Sequence, residues 1–234
     1  MSSKELRRFL SAIIDKTGTL LEATAKSFGL DFLSDKSDRR YIELGGSNKI
    51  VTFKLWYDSV ILKHEAFLKI QINFVEKLLF PPANRTFGSL ISSKDHEDLG
   101  LFFPEEYGIF VREITFPAYD LREILCEKGR AILTRKGSKA RDFVDLFMIS
   151  QDLHIVPDDF KSEIIEKTVF SLSLYKKYRE NLAVKKELFS LGDYFEWGAE
   201  KDFLLCEIPM EKFYNFVKDV QNSILKTANE ISVL

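Results

Sequence analysis

Apolar residues return every three or four positions over residues 3–28, where Leu6, Leu10, Ile13, Ile14, Leu21 and Phe28 share one face with Thr17. That spacing predicts an amphipathic helix. Ser2 and Glu5 stand at capping-box spacing at its start, and Gly29 is a natural stop. The polar run DKSDRR, residues 35–40, predicts a loop. Then the period changes to two. Val51, Phe53, Leu55 and Tyr57 alternate with Thr52, Lys54 and Trp56, and Ile70, Ile72 and Phe74 alternate with Lys69, Gln71 and Asn73. Each run reads as a strand with one wetter face. Residues 41–44 before them and 108–114 after them bring the expectation to three or four strands, interrupted by Pro81-Pro82 and the polar run 92–100. From Pro157 onward the pattern is helical, over 160–178, 184–191 and 210–227. Helix, then sheet, then helices predicts an α+β fold: a small, mostly antiparallel sheet flanked by helices, with a C-terminal helical portion. The expected division is an α+β part over 1–117 and a helical part over 118–234.

Residues 119–150 break the ordinary pattern. Leu121, Ile124, Leu125 and Ile132 define the core stripe of one helix, opened by Asp120 and Glu123 at a second capping-box spacing, and Lys128 falls in the middle of that stripe. The next helix is apolar almost all round (Phe143, Val144, Leu146, Phe147, Met148, Ile149), yet it carries Asp142 and Asp145 three positions apart. Inward charge is costly unless it is paired or employed. A structural ion pair of Lys128 with either aspartate and a functional site fit the periodicity equally well. Between the helices lies a basic stretch: six basic residues from Lys128 to Arg141 and no acidic one. Arg135 and Arg141 in it are candidate phosphate contacts, and a solvated basic turn is the bland alternative.

The wording of this segment closely resembles the signature of the AbiEii/AbiGii toxin family. Its members are nucleotidyltransferase-like proteins of abortive-infection and toxin–antitoxin systems. The resemblance rests on Leu121, Glu123, Ile124, Leu125, Glu127, Lys128, Arg130, Ala131, Arg135, Ala140, Arg141, Asp142, Phe143, Asp145 and Leu146. It implies a nucleotidyltransferase-like fold and transfer of a nucleotide from an NTP to an RNA or protein acceptor. It also implies Mg²⁺ as cofactor and a cognate antitoxin as partner. Lys128, Asp142 and Asp145 become the catalytic candidates, with Lys128, Arg135 and Arg141 contacting nucleotide or RNA phosphates. A lysine, compact in charge and flexible in stem, suits a leaving pyrophosphate.

One family motif, GGS or GGT followed by SDxD, has no counterpart here. Gly45-Gly46-Ser47 precedes Asp58, but Ser59 and Val60 follow it and a strand-like run intervenes, so the glycines read as a hairpin turn. Gln71 stands where many nucleotidyltransferases place a carboxylate. Residues 3–28 resemble the family helix that follows the metal-binding strand. The chain therefore reads either as starting downstream of that motif or as a degenerate member. Accordingly, two functions stand side by side: a toxin-like transferase with little or no activity in these 234 residues, and a silent nucleotide- or RNA-binding or protein-interaction module.

Composition narrows the rest. With a formal net charge of −2 there is no global basic field, so DNA binding is not expected and any RNA contact must be a local patch. No apolar run is long enough for a membrane span, and the charged N-terminus is no secretory signal. Two cysteines, Cys126 and Cys206, fit a reducing cytoplasm, Cys126 as a packing residue. His64, His96 and His154 lack ligand spacing for zinc.

Overall fold

The computed structural model describes residues 2–89, 97–192, 195–204 and 207–231; His96 and Cys206 lie outside them. The chain divides into two compact units, Met1–Lys77 and Leu78–Leu234, a junction earlier than the 117/118 boundary read from the sequence. The class is α+β, with eight α-helices and five strands among the described residues.

In the first unit, α1 (Ser3–Ser27) begins with the expected capping box, Ser2 Oγ accepting from the Glu5 amide while Glu5 accepts from the Ser2 amide at 2.7 Å. Strands β1 (Ile42–Gly45), β2 (Ile50–Asp58) and β3 (Glu65–Asn73) form one antiparallel sheet in that order. Phe53 lies opposite Ile42 and Ile70, so the period-two residues share a face. Val51, Phe53 and Leu55 of that face are buried with Ile14 and Ala25 of α1. The Gly45-Gly46-Ser47 segment is a hairpin turn, as read from the sequence. Gly46, Ser47 and Asn48 all have positive φ (57°, 59° and 70°) and reverse the chain between β1 and β2. Asp58 ends β2 opposite Glu65, and Gln71 Nε2 donates to Thr52 Oγ1 across the sheet.

In the second unit, β4 (Ala83–Phe87) and β5 (Ile114–Ala118) make a separate antiparallel ribbon. This corrects the strand expected over 108–114. Residues 108–110 instead close a helix, α3 (Pro104–Phe110), which follows α2 (Glu97–Phe102). Pro104 at the first helical turn and Glu105 and Glu106 beside it favour a helix N-terminus, a signal stronger than the short apolar run. The strand begins only at Ile114 and carries Pro117, which a two-stranded ribbon tolerates.

The helices α4 (Leu121–Thr134), α5 (Ala140–Leu153), α6 (Lys161–Leu174), α7 (Lys176–Ser190) and α8 (Met210–Glu230) build the main core. The helix expected over 160–178 is in fact broken at Tyr175, whose extended backbone (φ −134°, ψ 108°) separates α6 from α7. Leu125, Phe143, Leu146, Ile164, Leu182, Phe213 and Ile224 fill the core. Gly129 sets how near α6 comes to α4: a Cβ there would stand 2.8 Å from Ile164 Cδ1. Among the described residues no helix is long and apolar enough to cross a membrane.

Candidate functional site

Helix α4 projects Lys128 from its third turn, and α5 brings Asp142 into its own first turn, where the helix dipole favours a carboxylate. The Lys128 Nζ lies 3.3 Å from Asp142 Oδ1 and also pairs with Asp145 Oδ2. Arg135, the C-cap of α4, pairs with the other oxygen of Asp142. Asp142 is therefore held from both sides by cations, and its side chain is 2% exposed. The rest of the cluster opens to water: the side chains of Lys128, Arg135 and Asp145 are 21%, 36% and 43% exposed. Four of the five residues singled out from sequence meet at this point. The fifth, Arg141, is exposed and makes no ion pair among the described residues.

Sequence reasoning missed a neighbour, Lys185 of α7, which is 1% exposed. Its Nζ donates to Gly137 O at 3.0 Å, in the turn that joins α4 to α5. Burial pushes its pKa down to about 8; the Asp142 charge acts against that shift and Arg135 with it, so all three groups share one field. One turn earlier, Asn181 Nδ2 donates to Thr134 O at 2.7 Å. The signal was legible in principle. Lys185 lies three residues after Leu182 and four before Phe189, both buried, so it sits on an apolar stripe as Lys128 does.

A second buried charge was also missed. Glu123, expected as a capping-box partner, turns inward instead and is 1% exposed, while Asp120 caps α4 by accepting from the Arg122 amide at 2.9 Å. The Arg122 guanidinium holds the Asp120 carboxyl at about 2. Glu123 Oε2 accepts from the Leu79 and Phe80 amides, both at 2.9 Å, and Oε1 pairs with the buried Lys167 of α6. Lys167 also reaches Glu127 at 3.5 Å. Cys126 is fully buried, and burial raises its thiol pKa to about 12, which makes it an inert packing residue.

Among the described residues no three His, Cys, Asp or Glu side chains stand close enough to share a metal ion. Both Asp142 oxygens are taken by cations, Lys128 on one and Arg135 on the other. No curated protein and no solved structure gives a significant match to the chain. A family model does, over residues 4–212, described as the nucleotidyl transferase AbiEii toxin of a type IV toxin–antitoxin system. The match spans both units and includes the whole lysine–aspartate cluster. The chain belongs to the AbiEii family of nucleotidyl transferase toxins.

Proposed function

We propose that Lys128, Arg135 and Asp142 form the phosphate-holding half of an AbiEii-type nucleotidyl transfer site. In such a reaction an acceptor hydroxyl, on RNA or on a protein, attacks the α-phosphorus of an NTP and pyrophosphate leaves. Charge builds on the departing oxygens, and preorganised cations at that point lower the barrier. Lys128 and Arg135 are those cations; Asp142 holds both in place before the nucleotide arrives. Asp145, the most exposed member, is the partner that Lys128 exchanges for a phosphate oxygen, and Arg141 extends the positive surface towards RNA. The observation that carries this reading is the half-open state of Lys128, paired to two carboxylates yet within reach of solvent.

Chemistry of this family draws on an NTP and a divalent metal. Metal-holding carboxylates of the SDxD type are not among these 234 residues, and Asp58 sits beside Glu65 in a hairpin. The chain as given is therefore expected to bind ATP but to transfer little or nothing. As a member of a toxin–antitoxin family it acts opposite a cognate antitoxin. The second reading, a silent nucleotide- or RNA-binding module, shares the same anion site and differs only in chemistry.

Calorimetric titration with ATP, followed by incubation with magnesium, labelled NTPs and total cellular RNA, tests both readings. Binding weakened about tenfold in Lys128→Ala supports the site, and transfer that appears only when a GGS/T…SDxD segment is supplied supports the transferase. Equal affinity in wild type and a Lys128→Ala/Arg141→Ala double variant would overturn the phosphate role. Robust, Lys128-dependent transfer by the 234 residues alone would show that the metal carboxylates lie elsewhere in this chain.

A further inference from the structure

The turn over residues 135–139 carries Arg135, Lys136 and Lys139 and joins α4 to α5. A five-residue basic turn has strong reasons to be loose. Its charges repel one another, Gly137 adds backbone freedom, and Lys139 at the start of α5 makes no side-chain cap. Yet Arg135 must stay on Asp142 for the cluster to exist. Two side chains of α7 meet this need. Asn181 donates to Thr134 O, the last carbonyl of α4, and Lys185 donates to Gly137 O, in the middle of the turn. Residues four apart on a helix project from one face, so α7 offers these two donors side by side. The carbonyls they take bracket Arg135.

We propose that Asn181 and Lys185 are positioning residues of the site, a two-point clamp by which α7 fixes the turn and with it the Arg135 guanidinium. The proposal rests on the reading of Lys128, Arg135 and Asp142 as a phosphate site, and it extends that reading to a third helix. A loose turn must be ordered when an anion binds, and ordering a residue's backbone costs about 1–2 kcal/mol. Fixing it in advance moves that cost from binding to folding. Lys185 contributes in a second way, because its ammonium lies in the field of Asp142 and adds a third positive charge around that carboxylate beside Lys128 and Arg135.

Trypsin provides a readout of the clamp that does not depend on nucleotide binding, since it cuts after Arg135, Lys136 and Lys139. In the full chain, Asn181→Ala and Lys185→Met are each expected to speed cleavage in the turn about tenfold, the factor that corresponds to ~1.4 kcal/mol of easier opening. Cleavage at the other basic residues should stay as in wild type. ATP affinity, followed by calorimetry, should fall about five- to tenfold in the same variants, with Lys185→Arg closer to wild type than Lys185→Met. If Lys185→Met does not fold, Asn181→Ala alone carries the test. Unchanged turn cleavage in the folded variants overturns the clamp. Faster cleavage with unchanged ATP affinity overturns the positioning role. A wild type that binds no ATP overturns the phosphate reading, whereas the cleavage arm still decides whether the clamp exists.

Discussion

Among the described residues of the second unit, two clusters of inward charge are anchored on α4, only a turn or so apart, and they differ in how far each is closed to solvent. At Glu123 and Lys167 the side chains are 1% and 3% exposed. One carboxylate oxygen takes the ammonium and the other takes two backbone amides. Little is left for a ligand to bind, and the pair is almost wholly shielded from solvent. At Lys128 the ammonium is shared between a dry carboxylate, Asp142, and a wet one, Asp145. A charge that is satisfied on all sides belongs to the fold, whereas one satisfied by an exchangeable partner can be lent to a ligand. Lys185 is as buried as Lys167 and donates to the Gly137 carbonyl; burial lowers its pKa to about 8, against the pull of the Asp142 charge.

The largest effect is expected from breaking the closed pair. Glu123→Ala leaves the Lys167 charge buried alone and the Leu79 and Phe80 amides without an acceptor, which should cost about 3–5 kcal/mol in urea unfolding. A Glu123→Gln/Lys167→Met double variant keeps a carbonyl acceptor and removes both charges, so it should lose less than Glu123→Ala. ATP binding should survive in whatever remains folded. A loss of ATP affinity without a loss of stability would erase the distinction between the clusters.

Next in size is the pH dependence of Lys185. Its folded pKa is near 8 and its unfolded value is the ordinary 10.5. Below pH 8 both states are protonated, and the fold bears the cost of a buried ammonium. Between pH 8 and 10.5 the unfolded chain holds more protons than the folded one, so stability rises with pH by up to roughly 3 kcal/mol. Comparison of wild type with Lys185→Met across this window isolates the effect. Parallel stability curves would show that Lys185 is better solvated than its burial implies.

At the open cluster the order of effects should reverse, with function more sensitive than stability. Lys128→Ala is expected to lower ATP affinity about tenfold, equivalent to ~1.4 kcal/mol, while melting temperature moves little. The affinity that remains should weaken with added salt less steeply than in wild type. Smallest of all, Asp145→Ala and Arg141→Ala, each altering an exposed side chain, should change unfolding free energy by less than about 1 kcal/mol. Asp145→Ala should leave ATP binding unchanged or tighter, because it removes the competitor for Lys128. Weaker binding in that variant would make Asp145 a ligand-holding residue rather than a placeholder.

A single rule, charge on an apolar stripe, located Lys128 and Asp142 from the sequence. Applied to α6 and α7 the same rule marks Lys167, three residues after the buried Ile164, and Lys185, between Leu182 and Phe189. These were passed over because their partners are 44 and 48 positions away, whereas Lys128 and Asp142 are separated by only 14. Glu123 was misread for a related reason. Capping-box spacing is a local signal, and the amides that claimed its carboxylate come from Leu79 and Phe80. The strand expected over 108–114 failed where Pro104 and two glutamates started a helix instead.

What the sequence determined by itself is what neighbours in the chain can decide. That includes the capped helix α1, the alternation of β2 and β3, the hairpin at Gly46 and the facing of Lys128 towards Asp142 and Asp145. The family signature is equally local and falls in the same thirty residues. Only the tertiary structure decided which of the buried charges is closed and which is open. Access to water depends on how α6 and α7 pack over α4, and whether a charge is satisfied depends on donors and acceptors that chain separation hides. Periodicity records that a side chain faces inward; it carries no information about what waits there.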